Sequence, residues 1–565
     1  MTWQETMATW QAATLPTDLA SELATLNENQ QEEAFYQDLK FGTAGMRGLL
    51  GVGPNRMNIF TVRKVTEALA RYIDSLGAAA QQAGVAISYD SRHYSPVFAK
   101  EAGRVLSQHG IKVYLFSSLR PTPELSFAVR NLKTAAGIMI TASHNPKEYN
   151  GYKVYGPDGG QMAPEAVKVI VDQLADLNPF TVAVDAADTT IQIIDDDIDQ
   201  KYLAAMKKVS VNQKLIDQEG AKLKLVYSPL HGTGQYIGEL ALKQAGFTNY
   251  TIVKEQAVID GDFPTVAKPN PEEKEALSLA IKYATEEGAD LVVASDPDAD
   301  RLGAAVRLAD GSFKVLSGNQ IAAILVNYLL TAKAETKTLP TNGAIVTSIV
   351  SSRFAPTVAK NFGVTTFDVL TGFKYIAETI ERFERDQDHE FLFGFEESFG
   401  YLVKPFAHDK DAIQALVLFA EVAAYYKSQN MTVADGLAAL YAKYGYFAEN
   451  TLSLTFEGIH GADEMAQVMA NLRHDHPTHF GGLAVVKAED FDSGLVTDVK
   501  TNTISKLTQP QANVLKYWLA DGSWVAARPS GTEPKLKLYT GVVGESQVLA
   551  DKKLATIEAD LKALV

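Results

Sequence analysis

Short apolar runs along this chain alternate with stretches in which apolar residues recur every three or four positions, the pattern of strands followed by helices. The opening ~40 residues set Leu and Ala among Glu and Gln at helical spacing and predict amphipathic helices. After the glycine-rich FGTAGMRG at 41–48, Val85–Tyr89 reads as a strand, Val97–His109 as a helix and Lys112–Phe116 as another strand. Lys224–Tyr227 precedes a helical Tyr236–Ala245, and Leu291–Ala294 follows a helical Lys274–Glu287. The alternation predicts an α/β protein with largely parallel sheets flanked by helices.

Three times an apolar strand runs straight into a polar loop: AAGIMITASHNP, GADLVVASDPDADR and DHEFLFGFEESFGY. Ligand-binding groups collect at the carboxyl ends of strands in such sheets, so the three loops suggest three similar α/β domains that share one site. No period near 34 or 40 residues marks a solenoid. The acidic IIDDDID (193–199) reads as a poorly structured stretch before a helix and points to a first boundary near 208. The expected domains are 1–208, 209–320, 321–447 and 448–565. The last, with strands around Thr451–Thr455 and Leu483–Val486 and a closing helix, reads as α+β.

Composition narrows the class. There are 565 residues, 46% hydrophobic and 21% charged, enough for several cores. No run approaches the ~18 apolar residues of a membrane span, and the N-terminus lacks the basic start and apolar core of a secretory signal. The absence of cysteine excludes disulfides, thiolate nucleophiles and cysteine-bound zinc or iron–sulfur clusters. A net charge of −16 argues against nucleic acid and anionic membranes as partners, but not against a small anionic substrate in a locally basic cleft. A cytoplasmic enzyme fits best.

The loops carry the chemistry. Ser143, in Thr141-Ala142-Ser143-His144-Asn145-Pro146, stands at a strand end in a turn. A hydroxyl there needs a metal, a base or an incoming phosphoryl group to react, and could equally be a helix cap. Asp296, Asp298 and Asp300 alternate after an apolar strand and can converge on one hard cation. An EF-hand would need Gly and Glu where Arg301 and Arg307 stand. Glu396 and Ser398, between Gly394 and Gly400, suit the hydroxyls of a sugar, though a helix start explains them as well. Arg528-Pro529-Ser530-Gly531-Thr532, followed by Lys535, supplies a guanidinium fork, two hydroxyls and a glycine N–H, which together suit a phosphate. No GxxxxGK[ST] occurs, and HGTGQYIG (231–238) lacks the spacing of a dinucleotide loop.

In their order and joint presence these loops resemble the signatures of the α-D-phosphohexomutases, the phosphoglucomutase/phosphomannomutase family. FGTAGMRG, ASHNPKEYNGYKVY, DPDADRLG and GFEESFG look closest to its long phosphoglucomutase type, which includes phosphopentomutase-like members. The resemblance implies a four-domain, heart-shaped protein with three similar α/β domains of mixed sheets and a C-terminal α+β domain around a central active-site cleft. It implies interconversion of glucose 1-phosphate and glucose 6-phosphate through a phosphoserine and a glucose 1,6-bisphosphate intermediate, with mannose or pentose phosphates as the alternative substrates. Ser143 would carry the phosphoryl group, and its phosphate would join Asp296, Asp298 and Asp300 in holding one Mg²⁺. Arg47, His144 and Lys153 match active-site positions, Lys153 as a candidate general acid/base. Arg301, Thr371, Gly372, Lys374, Glu396 and Ser398 would bind the sugar. Arg528, Ser530, Gly531 and Thr532 would hold the phosphate that is not reacting. Phe373 stands where some glucose-preferring members carry Trp, which leaves the sugar open.

Two rivals are weaker. A metal-dependent phosphatase would want a nucleophilic aspartate and leave the serine loop idle. A sugar-phosphate-binding protein would leave the aspartates beside a reactive serine without purpose.

Overall fold

A computed structural model describes residues 2–564 apart from 43–44, 457–460, 476 and 531–534. The chain divides into two compact units, residues 1–318 with 377–433, and residues 319–376 with 434–565.

The first unit opens with helices Trp3–Ala12, Thr17–Leu23 and Glu28–Phe35, as the N-terminal pattern predicts. Trp10 anchors them edge-on against Phe60, with ring centroids 5.4 Å apart. The next six strands form one sheet: β1 (Gly45–Leu49), β2 (Val85–Tyr89), β3 (Val113–Phe116), β4 (Ala136–Ile140), β5 (Tyr149–Tyr155) and β6 (Ile191–Ile194), in the order β1-β5-β4-β2-β3-β6. Its centre is parallel, as the alternation predicts. At one edge β5 turns back antiparallel to β4 and pairs antiparallel with β1. This return places Lys153 opposite Met139 in register, one strand from the serine loop.

One expectation needs correction. The stretch read as poorly structured holds an edge strand and a helix. Ile191–Ile194 pair in parallel with Val113–Phe116, and the helix Asp196–Met206 follows at once. β-Branched isoleucines favour the extended edge, and the aspartates occupy the first helical turn, where the helix dipole welcomes negative charge.

A second sheet follows, of β7 (Leu225–Ser228), β8 (Tyr250–Ile252), β9 (Leu291–Ser295), β10 (Leu302–Arg307) and β11 (Phe313–Val315), ordered β11-β10-β9-β7-β8. The β7, β8 and β9 pairings are parallel, and β10 returns antiparallel on β9 through the aspartate loop. Helix Lys274–Glu287 buries Ala276, Leu277, Ala280 and Ala284 in this domain's core. The first unit also contains the hairpin β14 (Glu390–Glu396) and β15 (Gly400–Leu402), and the buried helix Ala412–Ser428. The parallel pair β12 (Gly343–Ser348) and β13 (Thr365–Val369) precedes this hairpin in sequence and belongs to the second unit.

The second unit ends in an antiparallel sheet whose longest pairing joins Tyr446–Thr455 to Lys535–Gly544 along ten residue pairs. Helix Gln547–Ala563 closes it, burying Ala550, Ile557 and Leu561. This is the α+β domain read from the sequence.

Candidate active site

Ser143 follows β4 and is 3% exposed. Its backbone is left-handed (φ 53°), a conformation that costs a non-glycine residue energy and must be imposed by its surroundings. Ser143 N–H donates to Thr141 Oγ1 at 2.7 Å, and that hydroxyl donates to Asp90 Oδ2 at 2.6 Å. Arg92, 1% exposed, donates to four carbonyls of the turn: Ser143 at 2.6 Å, Asn145 at 2.5 Å, Pro146 at 2.8 Å and Tyr149 at 3.1 Å. Arg47, open to solvent on β1, donates to Asn145 Oδ1 at 2.9 Å.

The serine faces the aspartate loop. Ser143 Oγ donates to Asp296 Oδ2 at 2.9 Å and lies 3.1 Å from His144 Nδ1. Asp296, Asp298 and Asp300 are at most 1% exposed, and one carboxylate oxygen of each lies within 4.8 Å of the others. Burial, then the charges on Asp298 and Asp300, push the Asp296 carboxyl well above the ordinary range. Burial would raise Asp298 too, but Lys153 together with the hydrogen bonds from Asp296 and Thr122 outweighs it and holds that carboxyl below the ordinary range. Burial followed by the charges of Arg301, Arg47, Arg92 and Lys153 pushes His144 well below the usual histidine range, so its imidazole is neutral near pH 7. For Lys153, burial is overcome by Asp298 and Asp300, which raise it and keep it charged.

Both oxygens of Asp296 are occupied by the protein, and one oxygen each of Asp298 and Asp300. Asp296 Oδ1 accepts the N–H groups of Asp300 and Arg301 at 3.0 Å each. Asp298 Oδ2 accepts from Lys153 at 2.8 Å and Thr122 Oγ1 at 2.9 Å. Asp300 Oδ2 pairs with Lys410 at 3.1 Å and Lys153 at 3.5 Å. Asp298 Oδ1 and Asp300 Oδ1 are buried without a hydrogen-bond partner among the described residues. Buried carboxylate oxygens left so are costly, and hard oxygen donors of this kind suit a divalent cation. The group can hold a metal ion.

The Glu396 loop is tied to the same place. Glu396, 6% exposed, ends β14, Leu302 N–H donates to the Phe399 carbonyl at 3.0 Å, and Arg301 bridges to Gly400. Ser398 is half-buried beside it. The Arg301 guanidinium pairs with Glu272, and its Nε lies 3.8 Å from Asp300 Oδ1. Ser143, Ala299 and Phe399, one in each loop, share the left-handed backbone.

Four family profiles match the chain in order: phosphoglucomutase/phosphomannomutase alpha/beta/alpha domain I at 38–179, domain II at 200–309, domain III at 317–444 and the C-terminal domain at 485–558. A phosphoglucomutase of Staphylococcus epidermidis is 41% identical over 520 residues, 91% of this chain and 92% of its own. The chain belongs to the phosphoglucomutase/phosphomannomutase family. A phosphoglucomutase of Staphylococcus haemolyticus is 38% identical over 510 residues, 90% of this chain and 91% of its own. A phosphoglucomutase/phosphomannomutase family protein from Burkholderia thailandensis shares the fold, with TM-score 0.66 and 19% identity over 93% of this chain and 97% of its own.

The remaining family-motif residues lie in the second unit. Thr371 and Gly372 follow β13, and Lys374 is buried in the first turn of helix Phe373–Asp386 with Nζ 4.7 Å from the Tyr375 ring. Arg528 lies on strand Trp524–Pro529 opposite Lys537, and Ser530 N–H donates to the Lys535 carbonyl at 2.7 Å. Gly531 and Thr532 lie outside the described residues.

Sequence reading missed Thr122, Arg92 and Lys410. Lys410 also pairs with Asp409, which accepts from Tyr155 Oη at 2.8 Å. A Cβ on Gly400 would sit 2.2 Å from Lys410 Cδ, so the glycine makes room for the lysine. HGTGQYIG supports the aspartate loop: a Cβ on Gly232 would sit 2.3 Å from Pro297 Cα, and Thr233 N–H donates to the Pro297 carbonyl.

Proposed function

We propose that this protein interconverts glucose 1-phosphate and glucose 6-phosphate by way of a phosphorylated Ser143. The observation that carries this is the Ser143 hydroxyl, 2.9 Å from Asp296 in a buried group of three aspartates. In the phosphorylated protein, Ser143 gives its phosphoryl group to the free hydroxyl of a sugar monophosphate. The sugar oxygen bonds to phosphorus, the phosphorus–Oγ bond breaks, and the proton lost by the sugar is matched by one gained at Oγ. The glucose 1,6-bisphosphate so formed turns over and returns its other phosphoryl group to Ser143. His144, neutral and 3.1 Å from Oγ, can hold or return the proton there. Lys153, charged, stabilises the oxygens that bear charge during transfer.

Asp296, Asp298 and Asp300, with a phosphoserine oxygen, would hold Mg²⁺. When bound, that ion neutralises phosphate charge. Arg47 would meet the reacting phosphate, and Arg301, Thr371, Gly372, Lys374, Glu396 and Ser398 would read the sugar. Arg528, Ser530, Gly531 and Thr532 would grip the other phosphate, an assignment that rests on their motif. This reading is of a cytoplasmic enzyme, and the net charge of −16 speaks against nucleic acid and anionic membranes as partners. A phosphatase built on the aspartate loop is less well supported, because both Asp296 oxygens accept hydrogen bonds.

The test compares glucose, mannose and ribose 1-phosphates, with and without glucose 1,6-bisphosphate, on wild type and Arg528→Ala. Glucose 1-phosphate should turn over fastest and respond to the bisphosphate. Loss of a bidentate charged contact should raise the bisphosphate requirement of the variant roughly ten- to hundredfold. Release of inorganic phosphate with no response to bisphosphate would mean a phosphatase.

A further inference from the structure

Three successive carbonyls of the aspartate loop are each fixed from a different part of the chain. Pro297 accepts Thr233 N–H at 2.8 Å, Asp298 accepts Thr122 N–H at 2.9 Å and Ala299 accepts Ala412 N–H at 3.1 Å. The backbone is thus clamped independently of any side chain, and what remains adjustable is the rotation of the carboxylates. That rotation is restrained as well. At Asp296, Oδ1 is taken by two backbone N–H groups. At Asp298, Oδ2 is taken by the Thr122 hydroxyl and Lys153. At Asp300, Oδ2 is taken by Lys410 and Lys153. The second oxygen of Asp296 accepts the Ser143 hydroxyl, and for Asp298 and Asp300 the second oxygen has no hydrogen-bond partner among the described residues.

We infer that Thr122 is a positioning residue that holds Asp298 to one-oxygen coordination, and that this tether selects a small divalent cation over Ca²⁺. The inference rests on the metal reading proposed above. Ca²⁺ takes six to eight oxygens and commonly uses both oxygens of a carboxylate, whereas Mg²⁺ accepts one from each and keeps strict octahedral geometry. A carboxylate with one oxygen already committed to two donors cannot chelate through both without losing them.

Thr122 occupies the first turn of helix Thr122–Leu132, between Pro121 and Pro123. Its N–H is one of the donors that a helix start leaves unpaired, and it goes to the Asp298 carbonyl. Its hydroxyl goes to the carboxylate of the same residue. One threonine therefore fixes both the backbone and the side chain of Asp298, and only the second contact depends on residue type. Lys153 supplies charge to the same oxygen from a long, rotatable chain, whereas the 0% exposed Thr122 supplies direction.

The experiment measures Mg²⁺ and Ca²⁺ binding by titration calorimetry on chelator-stripped wild type, Thr122→Val, Thr122→Ala and Thr122→Ser, with a melting curve to establish folding. Val keeps the shape and the N–H but removes the hydroxyl, and Ser keeps the hydroxyl. The ratio of Ca²⁺ to Mg²⁺ affinity should rise about tenfold in Val, or in Ala if Val does not fold, and stay within about twofold of wild type in Ser. In turnover assays the Mg²⁺ concentration for half-activation should rise in Val more than kcat falls. An unchanged ratio in the folded Val or Ala variant overturns the role of Thr122, as does a Ser variant that behaves like Val. Wild type that binds neither ion overturns the metal reading itself, a distinct result.

Discussion

The Ser143 hydroxyl donates to Asp296 Oδ2 across 2.9 Å, although 153 residues separate them in sequence. The contact joins the end of β4 in one sheet to the end of β9 in another, so the candidate nucleophile and the candidate metal ligands are set together by the fold of the first unit. Either partner alone is unremarkable: a serine in a turn, an aspartate after a strand. Together they define where phosphorus would sit.

If the aspartates hold a catalytic cation, EDTA should silence turnover and added Mg²⁺ should restore it. Asp298→Asn, which makes one hard anionic ligand neutral, should raise the Mg²⁺ requirement and lower kcat, each by roughly ten- to hundredfold. Turnover indifferent to chelation would reduce the three aspartates to a structural cluster.

The parts of the site that could be read from sequence are those whose chemistry is contiguous. TASHNP, DPDADR and GFEES each follow an apolar strand, and strand ends are where α/β proteins collect ligands. Thr122, Arg92 and Lys410 could not be read that way. Thr122 lies in RPTPE, which looks like any helix start, and Arg92 in SYDSRHY, which looks like a surface turn. Their partners, Asp298 and the carbonyls of Ser143 to Tyr149, are distant in sequence and are chosen by sheet packing. Alternation of strands and helices predicts parallel neighbours and is silent on edges, so the antiparallel returns of β5 and β10 were foreshadowed only by the mixed sheets that the family resemblance implies. The strand at Ile191–Ile194 was obscured by the aspartates that follow it.

Arg92→Met tests whether the serine turn is held from behind. The variant removes donors to four carbonyls and leaves Asp90 buried without its ion pair at 3.3 Å. Breaking a buried pair on one side costs about 3–5 kcal/mol. Urea unfolding of the first unit's transition should shift by that order, and the surviving folded protein should phosphorylate Ser143 more slowly. A variant as stable and as active as wild type would show that the turn supports itself.

Lys516 gives the second unit a pH dependence with a definite sign. It is 2% exposed, donates to the Ile349 carbonyl, and lies 4.3 and 4.6 Å from the rings of Trp518 and Trp524. Burial, then Arg353, lowers it to about 7. The folded pKa is below the unfolded one, so the unfolded chain binds the extra proton between them. Stability should therefore rise with pH from about 7 towards about 10, by roughly 1–3 kcal/mol, and this lysine should add no further pH dependence below 7. Melting followed by tryptophan fluorescence at pH 7 and pH 9.5 should show that rise in wild type and a smaller one in Lys516→Met. Equal pH dependence in the two proteins would mean that Lys516 is charged in the folded state.

The central claim, that Ser143 carries the phosphoryl group, is tested most directly by intact-protein mass spectrometry after incubation with glucose 1,6-bisphosphate and Mg²⁺. Wild type should become heavier by one phosphoryl group, mapped to the peptide containing Ser143, and should lose that mass when glucose 1-phosphate is added in excess without primer. Ser143→Ala should keep its fold, show no added mass and turn over at least about a thousandfold more slowly, the loss of a covalent nucleophile. A phosphoryl group found on another residue, or a Ser143→Ala variant within about tenfold of wild type, equivalent to roughly 1.4 kcal/mol of barrier, would contradict the account.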